Sequence, residues 1–156
     1  WWLEGIAVIV TGVMGDVVKP PSERFFINKT LNEIRQGSVS DADEFADRLM
    51  YTRPYGYLTK FHWTALVLAY MAKLKTWKYV LIDWHYDFQR VPERSYSDYD
   101  NKMLPNLDDL FHHNFGKSER DFLKDVYTSV KNCPACDVDY YLPQMPSVEG
   151  INVFSV

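Results

Sequence analysis

Two short acidic motifs carry side chains able to hold metal ions: Asp83-Trp84-His85-Tyr86-Asp87 and, later in the chain, Asp137-Val138-Asp139. Each follows an apolar run that reads as a buried strand, so these ligands are expected to gather where strands end. Carboxylates are costly to hold at the mouth of a hydrophobic sheet unless positive charge sits among them. One divalent cation, or two, supplies that charge. In an extended segment alternate residues share a face, which would point Asp83, His85 and Asp87 one way and pair Asp137 with Asp139. Carboxylate plus imidazole suits Mn, Zn, Fe or Ni, and a carboxylate-rich set tilts toward Mn. His62, at an apparent loop-to-helix junction before the first motif, is a further candidate ligand. Such a set supports hydrolysis, because a metal-bound water is acidified from ~15.7 toward neutrality.

The elements that would position these groups alternate. Residues 5–11 (Gly-Ile-Ala-Val-Ile-Val-Thr) and 77–82 read as buried strands, the second apolar on both faces as at the centre of a parallel sheet. Residues 137–142 and 151–156 read as two more. Between them, residues 30–36 form a short helix stopped by Gly37, and Ser40 caps a second with Asp43 at its third position. Phe45 and Leu49 of that second helix, at i,i+4, would face the core. An apolar helix covers residues 62–74, and a short one residues 106–113. Ser118 caps another, with Asp121 at the third position and Phe122, Val126 and Val130 as its stripe. Residues 88–105 are polar and read as a long loop, suited to a lid or substrate surface. Strands alternating with helices predict a three-layer α/β fold, αβα with a mainly parallel sheet. In such folds sites lie beyond the carboxyl ends of the strands.

The order His62, Asp83-Trp-His85-Tyr-Asp87 and Asp137-Val-Asp139-Tyr-Tyr-Leu-Pro143 resembles the arginase/agmatinase (ureohydrolase) superfamily, in particular its less characterised ureohydrolase-like members. The resemblance spans roughly residues 57–143. It implies an arginase-like fold, shortened or partial, with one metal on His62, Asp83, Asp87 and Asp137. The second would sit on Asp83, His85, Asp137 and Asp139, so that Asp83 and Asp137 bridge. It further implies a metal-bridging hydroxide, oriented by Asp87 as the catalytic residue, attacking an amide or amidine C–N bond of a small-molecule substrate. The chain departs from the family at the first histidine, where Thr-Lys-Phe precedes His62. It also lacks the substrate-reading histidine soon after Asp83-Trp-His85-Tyr-Asp87, and His112 and His113 fit that role only loosely. A non-catalytic metal-binding relative of the same fold is the alternative.

At 156 residues the sequence fits a single domain, 1–156, long enough to bury a core without staples. A hydrophobic fraction of 47% and an aromatic fraction of 16% indicate a folded protein. The net charge of -4 shows no basic stripe, which argues against nucleic acid as a partner. No apolar run approaches the ~18–20 residues of a membrane span, and the expected location is cytoplasmic. The start, Trp1-Trp2-Leu3-Glu4, has no initiator Met and no leader pattern, so an incomplete end is expected.

Three further motifs carry alternative readings. Cys133-Pro-Ala-Cys136 is half a zinc site, a redox pair, or two reduced cysteines at a strand entrance. Gly12 and Gly15 after an apolar run hint at a phosphate cradle, but Pro20-Pro21 stops the helix that cradle needs. Asn28-Lys29-Thr30 is a glycosylation sequon by pattern; with no leader before it, it reads as chance.

Overall fold

The computed structural model describes residues 5–6, 23–50, 60–90, 96–99, 102–105 and 107–142. Its elements are α1 (Glu23–Arg35), α2 (Ala42–Met50), α3 (Lys60–Leu74), a π-helical turn (Tyr79–Asp83), α4 (Trp84–Arg90), β1 (Tyr96–Tyr99), β2 (Lys102–Pro105), α5 (Asp108–Phe115), α6 (Glu119–Asn132) and α7 (Val138–Tyr141).

The helix at the centre is α3. Its residues Trp63 and Ala65 to Ala69 are buried without interruption, as is Met71. A helix apolar all round belongs inside a core rather than on its surface. Around it pack α1, α2, α6 and α7, and α2 lies along α6. Helix α1 contributes Ile27, Leu31 and Ile34; α6 contributes Phe122, Leu123, Val126 and Val130. Both sets follow the i, i+3, i+4 spacing of one helical face.

Helix ends follow local chemistry. Ser118 Oγ accepts from Asp121 N at 3.1 Å, capping α6 as its sequence predicts. On α2 the cap falls one residue later than expected. Asp41 Oδ1 accepts from Glu44 N at 2.8 Å, while Glu44 Oε2 reaches back to Ser40 N at 2.6 Å. Gly37 ends α1 at φ 80°, with Gly37 N bonded to Ile34 O and Ser38 N to Glu33 O. That pair of bonds is a Schellman cap, whose left-handed residue favours glycine.

The three-layer α/β expectation is overturned. Among the described residues the only sheet is one antiparallel hairpin, β1 with β2, registering Tyr96 on Pro105 and Tyr99 on Lys102. The rest is helical, so no parallel sheet and no arginase-like arrangement is present among them. Residues 77–82, expected as the central strand, are helical and lead through the π turn into α4. The physical reason is visible in burial: Trp77, Val80 and Trp84 are buried, a spacing of three and four, whereas a central strand would bury consecutive residues on both faces. A run of apolar residues this short fits either structure. Residues 137–142 form a capped helical turn in place of a strand. Gly5 and Ile6 are helical, and the remainder of that expected strand, Gly12, Gly15 and residues 151–156 lie outside the described residues. The expected long loop holds the end of α4 and the hairpin. Among the described residues no helix is long and apolar enough to cross a membrane.

Candidate functional site

The helical fold separates the expected metal ligands. On a helix, neighbours two apart point to opposite sides, since each residue turns about 100°. His85 therefore leaves the side shared by Asp83 and Asp87. Asp83 closes the π turn and takes Lys78 Nζ at 3.2 Å, both side chains well exposed. His85 is exposed and Asp87 half-buried on α4. Asp137 is spent as the N-cap of α7, accepting from Tyr140 N at 3.1 Å. Asp139 faces α1, where Arg24 Nη2 donates to it at 2.6 Å. Among the described residues no group of three or more His, Cys, Asp or Glu side chains could hold a metal ion.

His62 has a different partner. It is buried in the first turn of α3, with Nε2 2.7 Å from Glu33 Oε2 on α1. Trp63 Nε1 donates to the same oxygen, also at 2.7 Å. An indole N–H can only donate, so this oxygen is an acceptor and His62 Nε2 carries a proton toward it. Burial lowers the His62 pKa below its usual value, and the Glu33 carboxylate opposes that shift without reversing it. The neutral imidazole is the form the fold prefers.

These contacts make one expected outcome specific. Asp139→Asn should change stability by less than about 1 kcal/mol, as exposed ion pairs do. It should also leave the metal content of Mn-dialysed protein unchanged by elemental analysis. About two ions per chain, lost in Asp83→Asn, would restore a binuclear centre.

A second set of groups is assembled. Cys133 and Cys136 are joined by a disulfide, with Cα atoms 5.4 Å apart. Cys133 ends α6, its N–H bonded to Val130 O at 3.4 Å, and Cys136 N bonds back to Cys133 O at 3.1 Å. The loop thus closes on itself between α6 and α7. From the last turn of α1, Arg35 Nη2 donates to Cys133 O at 3.2 Å and, more closely, to Cys136 O. One guanidinium therefore fixes both cysteine carbonyls and sets a positive charge beside the loop. As whole residues, Cys133 is partly exposed while Cys136 is 8% exposed. Tyr141, fully buried behind the loop, donates from its hydroxyl to Ser129 O at 3.2 Å and ties α7 to α6.

The expectation of two reduced cysteines at a strand entrance is corrected on both counts: the pair is oxidised, and a helix follows it. Sequence reasoning singled out Cys133 and Cys136 but missed Arg35 and Glu33. No local pattern marks either one, because each meets its partners through tertiary packing.

Comparison with protein-family models, with curated proteins and with solved structures finds no match to this chain.

Proposed function

We propose that this chain acts by thiol–disulfide exchange at Cys133–Cys136, as a redox-responsive helical module. The supporting observation is the bridged Cys-Pro-Ala-Cys loop, clasped by Arg35, with Cys133 partly exposed and Cys136 buried. The binuclear-metal hydrolase and its non-catalytic relative both drew on strands delivering ligands to a sheet edge. The helical fold removes that delivery.

The chemistry balances without a cofactor. A thiolate of a partner dithiol attacks Cys133 Sγ, the Cys133–Cys136 bond breaks, and Cys136 leaves as a thiolate that takes up a proton. The partner's second thiol then attacks the mixed disulfide and releases Cys133. Two electrons and two protons pass from the partner to the pair. The reverse sequence oxidises the pair again. Closing a loop this short restricts the unfolded chain by only about 2 kcal/mol in the chain-entropy account. As a staple the bond contributes little, which suits one that opens and closes. The bond stands closed at rest, which suits an oxidising compartment, and that setting is part of the proposal.

Single-cysteine variants test the assignment. Cys136→Ser leaves the thiol of the more exposed residue and is expected to form a mixed disulfide with a small aromatic disulfide at least ~10-fold faster than Cys133→Ser. Equal, slow rates, or a pair that a dithiol reduces only when the protein is unfolded, would sink the exchange reading.

A further inference from the structure

Asn28, in Asn28-Lys29-Thr30, lies mid-way along α1 and is exposed. A sequon alone is a weak pattern, and what gives it weight is where the chain folds. Disulfide formation and transfer of oligosaccharide to Asn-x-Thr take place in the same oxidising compartment. The Cys133–Cys136 bridge, closed at rest, is a second feature that fits passage through it. We propose that Asn28 is an N-glycosylation site whose glycan covers the exposed ring of Phe25; this rests on the oxidising-compartment reading of the disulfide.

The geometry favours that cover. Side chains on a helix lean toward its N-terminus and lie over the residues three and four back. From Asn28 those residues are Phe25 and Arg24. Phe25 is 54% exposed, one of the large apolar side chains on the surface, held edge-on against Phe26 at 5.7 Å. A sugar joined to Asn28 Nδ2 brings its C–H face onto that ring and removes apolar surface from water. Arg24 is turned to Asp139.

The fold also sets the timing. Thr30 is fully buried, and its Oγ1 donates to Phe26 O at 2.9 Å. An enzyme that requires Ser or Thr two residues after the asparagine must meet that hydroxyl before α1 forms, so transfer occurs on the nascent chain. In the step, Nδ2 of Asn28 attacks the anomeric carbon of a lipid-pyrophosphate-linked oligosaccharide. The N–C bond forms, the carbon–oxygen bond to pyrophosphate breaks, the lipid pyrophosphate leaves with the electron pair, and the amide proton passes to solvent.

The test is peptide mass analysis, without reductant, of the full chain isolated from its own cells, before and after treatment with a peptide-N-glycosidase. The expected result is an Asn28 peptide seen only after treatment, with Asn28 converted to Asp, beside an intact Cys133–Cys136 bridge. Asn28→Gln and Thr30→Val, expressed in the same cells, should both lose the glycan and keep the bridge. An unmodified Asn28 beside an oxidised pair overturns the glycosylation site and leaves the exchange reading standing. An unmodified Asn28 beside a reduced pair overturns the shared compartment. A glycan that persists in Asn28→Gln places the modification elsewhere and also overturns the proposal.

Discussion

Truncating Trp84 to alanine is expected to cost about 3–5 kcal/mol of stability, the range for removing a large aromatic from a packed core. Trp84 is fully buried where the π turn enters α4. Its ring meets Phe111 at 5.1 Å, Tyr79 at 6.1 Å and Phe115 at 6.3 Å. Phe115 and Phe111 in turn meet Phe122 of α6, so the cluster ties α4, α5 and α6 together. Trp84→Phe should cost much less. It keeps a ring in place and removes an indole N–H that is buried with no hydrogen-bond partner. Urea unfolding read by circular dichroism gives both values. A loss below about 1 kcal/mol for Trp84→Ala would mean this residue is not part of the core.

The second large effect is expected at Glu33. One of its oxygens accepts from both His62 Nε2 and Trp63 Nε1. Glu33→Ala leaves two buried donors without their acceptor, at about 1–3 kcal/mol each before relaxation. The pH dependence adds a sign that can be checked. His62 in the fold titrates below its ordinary value of 6.5, chiefly because burial disfavours the charged ring. As pH falls through 6.5 the unfolded chain takes up the proton first. The stability from this group is therefore complete above that pH and is lost as pH falls toward the folded value. The slope can reach about 1.4 kcal/mol per pH unit for one proton. His62→Gln should flatten this limb. Glu33→Gln removes the charge that supports the protonated ring, so the folded value drops further and the acid loss extends to lower pH. Urea midpoints measured from pH about 7.5 down to about 5 decide it; stability that rises on acidification would contradict the buried, neutral imidazole.

What the sequence made legible was mostly local. The Ser118 cap, the Phe122, Val126 and Val130 stripe, the Gly37 stop and the apolar helix before Leu74 all depend on residues within a few positions of one another. A short apolar run carries no clear period. Tyr79 to Ile82 is apolar enough for a buried strand or a buried helix, and only the wider spacing of Trp77, Val80 and Trp84 distinguishes them. Everything expected of Asp83, His85 and Asp87 as co-facing ligands followed from that one choice of period. Asp137 shows the same dependence, since a carboxylate before a helix is a cap and a carboxylate at a strand end is a ligand. The contacts of Glu33 with His62 and of Arg35 with Cys133 and Cys136 join helices far apart in the chain. Side chains of these types occur on any helix surface, so nothing short of the packed structure pairs them.

The bridge between Cys133 and Cys136 spans two intervening residues, and Arg35 holds the same loop through backbone carbonyls that remain whether or not the sulfurs are joined. Opening the bond therefore leaves α6 and α7 anchored by contacts that do not involve sulfur, including Tyr141 to Ser129. If the pair exchanges as proposed, a molecule built this way wears little with use: it would record an encounter with a reductant, be reset by an oxidant, and repeat the cycle with its architecture carried over each time.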